Sequence, residues 1–110
     1  MTKLSNKLTT FRQKEVQQLF DSVEKRHKNL GLTILLAPKI LSYSRILIIT
    51  PKKTGSAPER NLIRRRLKAI FYEEKLFENN PYDCIVLARP EATKLSFLDL
   101  KRILINFIKS

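Results

Sequence analysis

At 110 residues and 43% apolar content, the chain is one domain by size, able to bury about 65% of its unfolded surface. Lys and Arg outnumber Asp and Glu by 22 to 10, and the resulting net charge of +12 sets up a field that attracts polyanions, nucleic acid or an anionic membrane surface. No apolar run approaches the roughly 20 residues of a membrane span, the N-terminal residues lack the apolar centre of a secretory signal, and a lone cysteine rules out a disulfide framework, so a cytoplasmic protein is expected.

Residues 1–9 read as a flexible basic arm, ordered against a partner. Thr10 and Gln13 have capping-box spacing, and Val16, Leu19, Phe20 and Val23 follow at helical intervals, which predicts a first helix over 11–20. The charged stretch 24–29 reads as a connection, with His27, the chain's one histidine, solvated within it. Residues 30–37 are apolar and β-compatible and are stopped by Pro38, residues 40–44 turn the chain, and 45–50 predict a strand buried on both faces.

A basic loop, 52–55, leads into the stretch 56–76. Ser56 and Glu59 have capping-box spacing, and Pro58 falls in the first turn, where its missing N–H costs nothing. At about 100° per residue, Ile63, Leu67, Ile70 and Phe71 form an apolar stripe, while Arg60, Asn61, Arg64, Arg65 and Lys68 share the neighbouring face. Arg60, Arg64 and Lys68 form a cationic column with no acids at the i±4 positions that would make it a salt-bridged surface. With Lys52 and Lys53 in the loop before it, this face fits phosphate, and Asn61 fits a base edge or a 2′-hydroxyl. A membrane surface would need the apolar stripe free to insert, and the core needs that stripe.

Residues 77–81 end the helix, 82–89 predict a third buried strand, and Ser96 with Asp99 caps a last helix whose apolar face is Leu100, Ile103, Leu104, Phe107 and Ile108. The strand–helix–strand order around the basic helix predicts a crossover between parallel strands, hence an α+β fold. Catalytic groups do not cluster. The ten carboxylates are scattered, Cys84 sits in an apolar strand as a small core residue, and two glycines leave no phosphate loop. The chain reads as a binder without catalytic residues or a metal site of its own.

The segments ILIITPKKTG and ERNLIRRRLKAIF, followed by YDCIVLARP, resemble the bacterial ribonuclease P protein component in the right order over nearly the whole chain. The chain departs from the pattern at Leu62, where the motif carries Arg, and at Val16 and Leu36, where aromatics are common. The resemblance implies an α+β fold: a three- or four-stranded mixed sheet, an N-terminal helix, a basic helix in a left-handed βαβ crossover, and a C-terminal helix. It implies a non-catalytic protein subunit of a ribonucleoprotein endonuclease that removes the 5′ leader of precursor tRNA. Lys52, Lys53, Arg60, Asn61, Arg64, Arg65 and Lys68 would then contact the catalytic RNA, Val16 and Phe20 would line the leader groove, and Mg²⁺ would be held mainly by RNA phosphates. The rival expectation is a ribosomal or general RNA-binding protein with no processing role.

Overall fold

The computed structural model describes residues 7–29 and 31–109. Helix α1 spans Gln13–Asp21, followed by strands β1 (Lys25–Lys28), β2 (Leu32–Pro38) and β3 (Ile46–Ile49), helix α2 (Ala57–Glu73), strand β4 (Tyr82–Ala88) and helix α3 (Phe97–Ile108). The strands form one mixed sheet in the order β1-β2-β4-β3. β1 and β4 each pair antiparallel with β2, while β3 and β4 run parallel and are joined through α2. The basic helix is thus the crossover element that the strand–helix–strand order predicts.

Alternation along the strands sorts the core into two clusters. Leu32, Ile34 and Leu36 of β2 and Cys84, Val86 and Ala88 of β4 face Ile63, Leu67, Ile70 and Phe71 of α2 and Leu100 and Leu104 of α3. On the other side of the sheet, Leu35, Ala37 and Ile85 pack with Leu19 of α1. Burying one such side chain contributes about 1.5–3 kcal/mol, whereas like charges at i,i+4 cost only about 0.2–0.5 kcal/mol per pair. Four buried anchors therefore let α2 carry its cationic column without unfolding.

Five expectations need correction. Stretch 24–29 is not a connection: it contains β1, an edge strand with one half-buried residue, and that residue, His27, stacks on Phe107 of α3 at 5.1 Å between centroids instead of standing solvated. β3 is the opposite edge, so Ile46 is buried but Leu47, Ile48 and Ile49 are only half-buried; burial on both faces belongs to β2 and β4. The first helix starts at Gln13, not residue 11, because the Arg45 guanidinium takes the Thr10 carbonyl at 2.8 Å and lies 4.1 Å over the Phe11 ring. Glu15, not Gln13, then closes the helix start by accepting the Arg12 N–H at 2.8 Å. Of the arm, residues 1–6 lie outside the described residues, and Leu8 is a core residue whose carbonyl accepts the Ile46 N–H at 2.8 Å.

Candidate nucleic-acid interface

The start of α2 is fixed before any partner is present. Ser56 Oγ accepts the Glu59 N–H at 3.3 Å and Glu59 Oε1 accepts the Ser56 N–H at 2.8 Å. These bonds hold the Glu59 carboxyl below the usual carboxylate range, so it is anionic at the positive end of the helix dipole. A Cβ on Gly55 would sit 2.8 Å from that same Oε1, so the capping geometry favours glycine here. Lys52 and Lys53 stand exposed on a 3₁₀ turn, Lys52–Thr54, pinned from beneath by buried Thr54, whose hydroxyl donates to the Ala88 carbonyl at 2.8 Å.

Seven polar side chains therefore stand on two rigid neighbouring elements. Lys52, Lys53, Asn61 and Arg65 are exposed, and Arg60, Arg64 and Lys68 are half-buried. Pro58, Asn61, Arg64, Arg65 and Lys68 line a concave strip of about 530 Å³. Arg64 is aimed by neutral partners, donating to Thr50 Oγ1 at 2.6 Å and to Asn61 Oδ1 at 2.5 Å. That leaves the amide N–H groups of exposed Asn61 as donors. Among the described residues the ion pairs are Arg45 with Glu15 and Asp83, and Lys101 with Glu74, so none of the six cations is neutralised. Arg66 belongs elsewhere: it donates to the Leu95 carbonyl at 3.4 Å, bracing α2 against the turn before α3.

The other sheet face offers a different surface. Leu47, Ile49 and Leu87 lie half-buried beside the α1 cluster. The register puts Arg26 opposite Leu35 and Lys28 opposite Thr33, so both basic side chains share this face, and Arg89 donates to Thr33 Oγ1 at 2.5 Å. An apolar floor with a basic margin results. Sequence reading missed Arg26, Lys28 and Arg89, since KRHK carries no apolar alternation to mark a strand. Val16 and Phe20 lie on α1 beside Leu19, Val16 half-buried and Phe20 38% exposed. Leu36 is not on this surface at all: it is buried on the opposite face, under α2 and α3.

Neither surface carries reactive groups. Among the described residues no three of His, Cys, Asp and Glu come together as a metal-ligand set. Burial drives the Cys84 thiol far above the usual thiol range, and Asp83 is committed to Arg45.

A family model described as Ribonuclease P matches residues 4–110. The chain belongs to the ribonuclease P protein family. Ribonuclease P protein components are subunits of the ribonucleoprotein enzyme ribonuclease P, so an RNA subunit is its implied partner. The chain is 33% identical over 91 residues to the ribonuclease P protein component of Petrotoga mobilis, with 77% of each chain covered. It is 30% identical over 95 residues to that of Levilactobacillus brevis, covering 86% of this chain and 80% of the relative. The fold matches the Staphylococcus aureus RNase P protein with a TM-score of 0.78 at 22% identity, covering 93% of both chains. The Thermotoga maritima RNase P protein in complex with 1-(4-fluorophenyl)-2-thiourea gives 0.73 at 26% identity, covering 86% of this chain and 92% of that one. No helix among the described residues is long and apolar enough to cross a membrane.

Proposed function

We propose that this ribonuclease P protein binds its catalytic RNA through the basic helix and the loop before it, and binds the 5′ leader of precursor tRNA across the α1 face of the sheet. The observation that carries the reading is a rigid surface of six cations, Lys52, Lys53, Arg60, Arg64, Arg65 and Lys68, with no acid among the described residues paired to any of them. Phosphate is the natural counter-charge, and releasing counterions from it supplies most of the affinity. Asn61 adds donors for a base edge or a 2′-hydroxyl, which discriminate RNA features that charge alone does not read. Leu62, 37% exposed beside Asn61, contributes apolar contact where the family motif has a guanidinium.

On the second face Leu47, Ile49 and Leu87, with Val16 and Phe20 of the neighbouring α1, give unstacked leader bases an apolar bed, while Arg26, Lys28 and Arg89 attract the leader backbone. The protein neutralises phosphate repulsion and holds the leader, and cleavage rests with the RNA. Mg²⁺ would be held mainly by RNA phosphates and would supply Lewis-acid chemistry there. The complex works in the cytoplasm.

The test adds the full chain to a transcribed bacterial ribonuclease P RNA at low Mg²⁺ and follows leader removal from precursor tRNA. Stimulated cleavage is expected. No stimulation would place the chain with RNA-binding proteins lacking a processing role, and cleavage by the RNA-free chain would make it a nuclease in its own right.

A further inference from the structure

The basic strip does not end where the cations end. Beyond Lys68 a second concavity, about 260 Å³ and lined by Arg65, Lys68, Ala69 and Tyr72, shares two residues with the first. Asn61 and Tyr72 therefore bracket one continuous track along α2, roughly 16 Å long at the helical rise per residue.

Tyr72 is 42% exposed, the most exposed aromatic ring in the chain's described residues. It is also held in place. Its ring lies nearly parallel to Phe77, at 6.3 Å between centroids and 14° between planes, and Phe77 in turn packs on buried Phe71 at 6.4 Å. Exposing an aromatic surface on a fully apolar ring would be unfavourable, and a tyrosine limits that cost through its hydroxyl. Its position one turn beyond a cation, Lys68, matches the pairing of stacking platform and phosphate clamp on which single-stranded nucleic acid is held.

We propose that Tyr72 is a stacking platform for one unpaired base of the RNA subunit, whose flanking phosphates lie on Arg65 and Lys68. The assignment rests on the reading of α2 as the RNA-binding helix and extends it by a contact that charge alone does not provide. Ala69, between the cations and the ring, lines the concavity with only a methyl group, which leaves room for a base. The helix thus meets RNA in two ways, by charge from its first turn to Lys68 and by a ring face one turn beyond it.

Charge and stacking respond differently to salt, and that separates them. Binding of the full chain to transcribed ribonuclease P RNA is measured across a salt series for wild type, Tyr72→Leu, Tyr72→Phe and Arg65→Ala. Tyr72→Leu is expected to lose roughly five- to a hundredfold in affinity with an unchanged salt slope, since stacking releases no counterions, and Tyr72→Phe is expected to bind as wild type. Arg65→Ala is expected to flatten the slope by about one. In the unaltered protein, bound RNA is expected to protect Tyr72 from nitration by tetranitromethane, a readout that needs no variant. Wild-type binding by Tyr72→Leu, equal loss in Tyr72→Phe, or unprotected Tyr72 would each overturn the stacking assignment while leaving the basic helix intact. Unchanged binding in Arg65→Ala and Tyr72→Leu together would instead remove the helix as the RNA-binding surface.

Discussion

Two sets of arginines in this protein live under opposite rules. Arg45 is 1% exposed, and its guanidinium meets Glu15 through two bonds of 3.0 Å and Asp83 at 3.6 Å, while its own backbone N–H donates to Asp83 at 2.8 Å. It ties the chain before α1 to the sheet, and its charge is consumed inside the fold. Arg60, Arg64 and Arg65 on α2 have no carboxylate partner among the described residues. Their charge is left for something else. The lesson is that a net charge of +12 has no meaning until each cation is assigned to an internal acid or to none.

Removing Arg45 should break the comparison most sharply. Arg45→Met strands Glu15 and Asp83, and loss of one partner of a buried pair costs about 3–5 kcal/mol, readable as a lower urea midpoint. Loss of RNA affinity with unchanged stability would mean that Arg45 belongs to the binding surface instead. The helix cap comes next: Ser56→Ala should cost about 1 kcal/mol of stability and leave the fold intact, because Glu59 keeps one of the two capping bonds.

The two acids around Arg45 sharpen the contrast through pH. Bonds from the Arg45 guanidinium and then the Arg12 N–H hold the Glu15 carboxyl below its ordinary 4.5, so its contribution is present above 4.5 and is lost as pH falls through the lowered value. Burial pushes the Asp83 carboxyl above its ordinary 3.8 despite Arg45, so its folded form favours the proton and stability falls as pH rises through the raised value. Urea midpoints taken between pH 3 and 7 should therefore converge for wild type and Glu15→Gln toward acid. For wild type and Asp83→Asn the same series should move in wild type's favour toward acid. Parallel curves would contradict the assigned roles. The smallest effect belongs to Lys101→Ala: its pair with Glu74, 3.1 Å long but about a third exposed on both sides, should be worth under about 0.5 kcal/mol in thermal unfolding.

Helix α2 was legible because its signals agree. Cap, first-turn proline, apolar stripe and cationic column all fall in register, and the observed Ala57–Glu73 buries the four anticipated residues. β2, β4 and α3 were legible for the same reason, with Ser96 and Asp99 capping each other at 3.1 Å. β1 was not. An edge strand held by backbone bonds to β2, with only His27 half-buried, leaves no hydrophobic period in KRHK. Missing β1 hid Arg26 and Lys28, which take a face only once the pairing register is known. The buried fate of Arg45 was equally invisible, since its partners Glu15 and Asp83 are 30 and 38 residues away in sequence. Long-range charge pairing has no local signature. Tyr72 was visible as a residue but not as a platform, because its support, Phe77, lies past the end of the helix.

The salt dependence of binding to transcribed ribonuclease P RNA tests the central claim most directly. With Arg65→Ala and the Arg65→Ala/Lys68→Ala pair, the slope of log affinity against log salt should flatten by about one and then about two relative to wild type, while unfolding midpoints stay put. Identical slopes and affinities in all three proteins would mean that the uncompensated charge on α2 faces water rather than RNA.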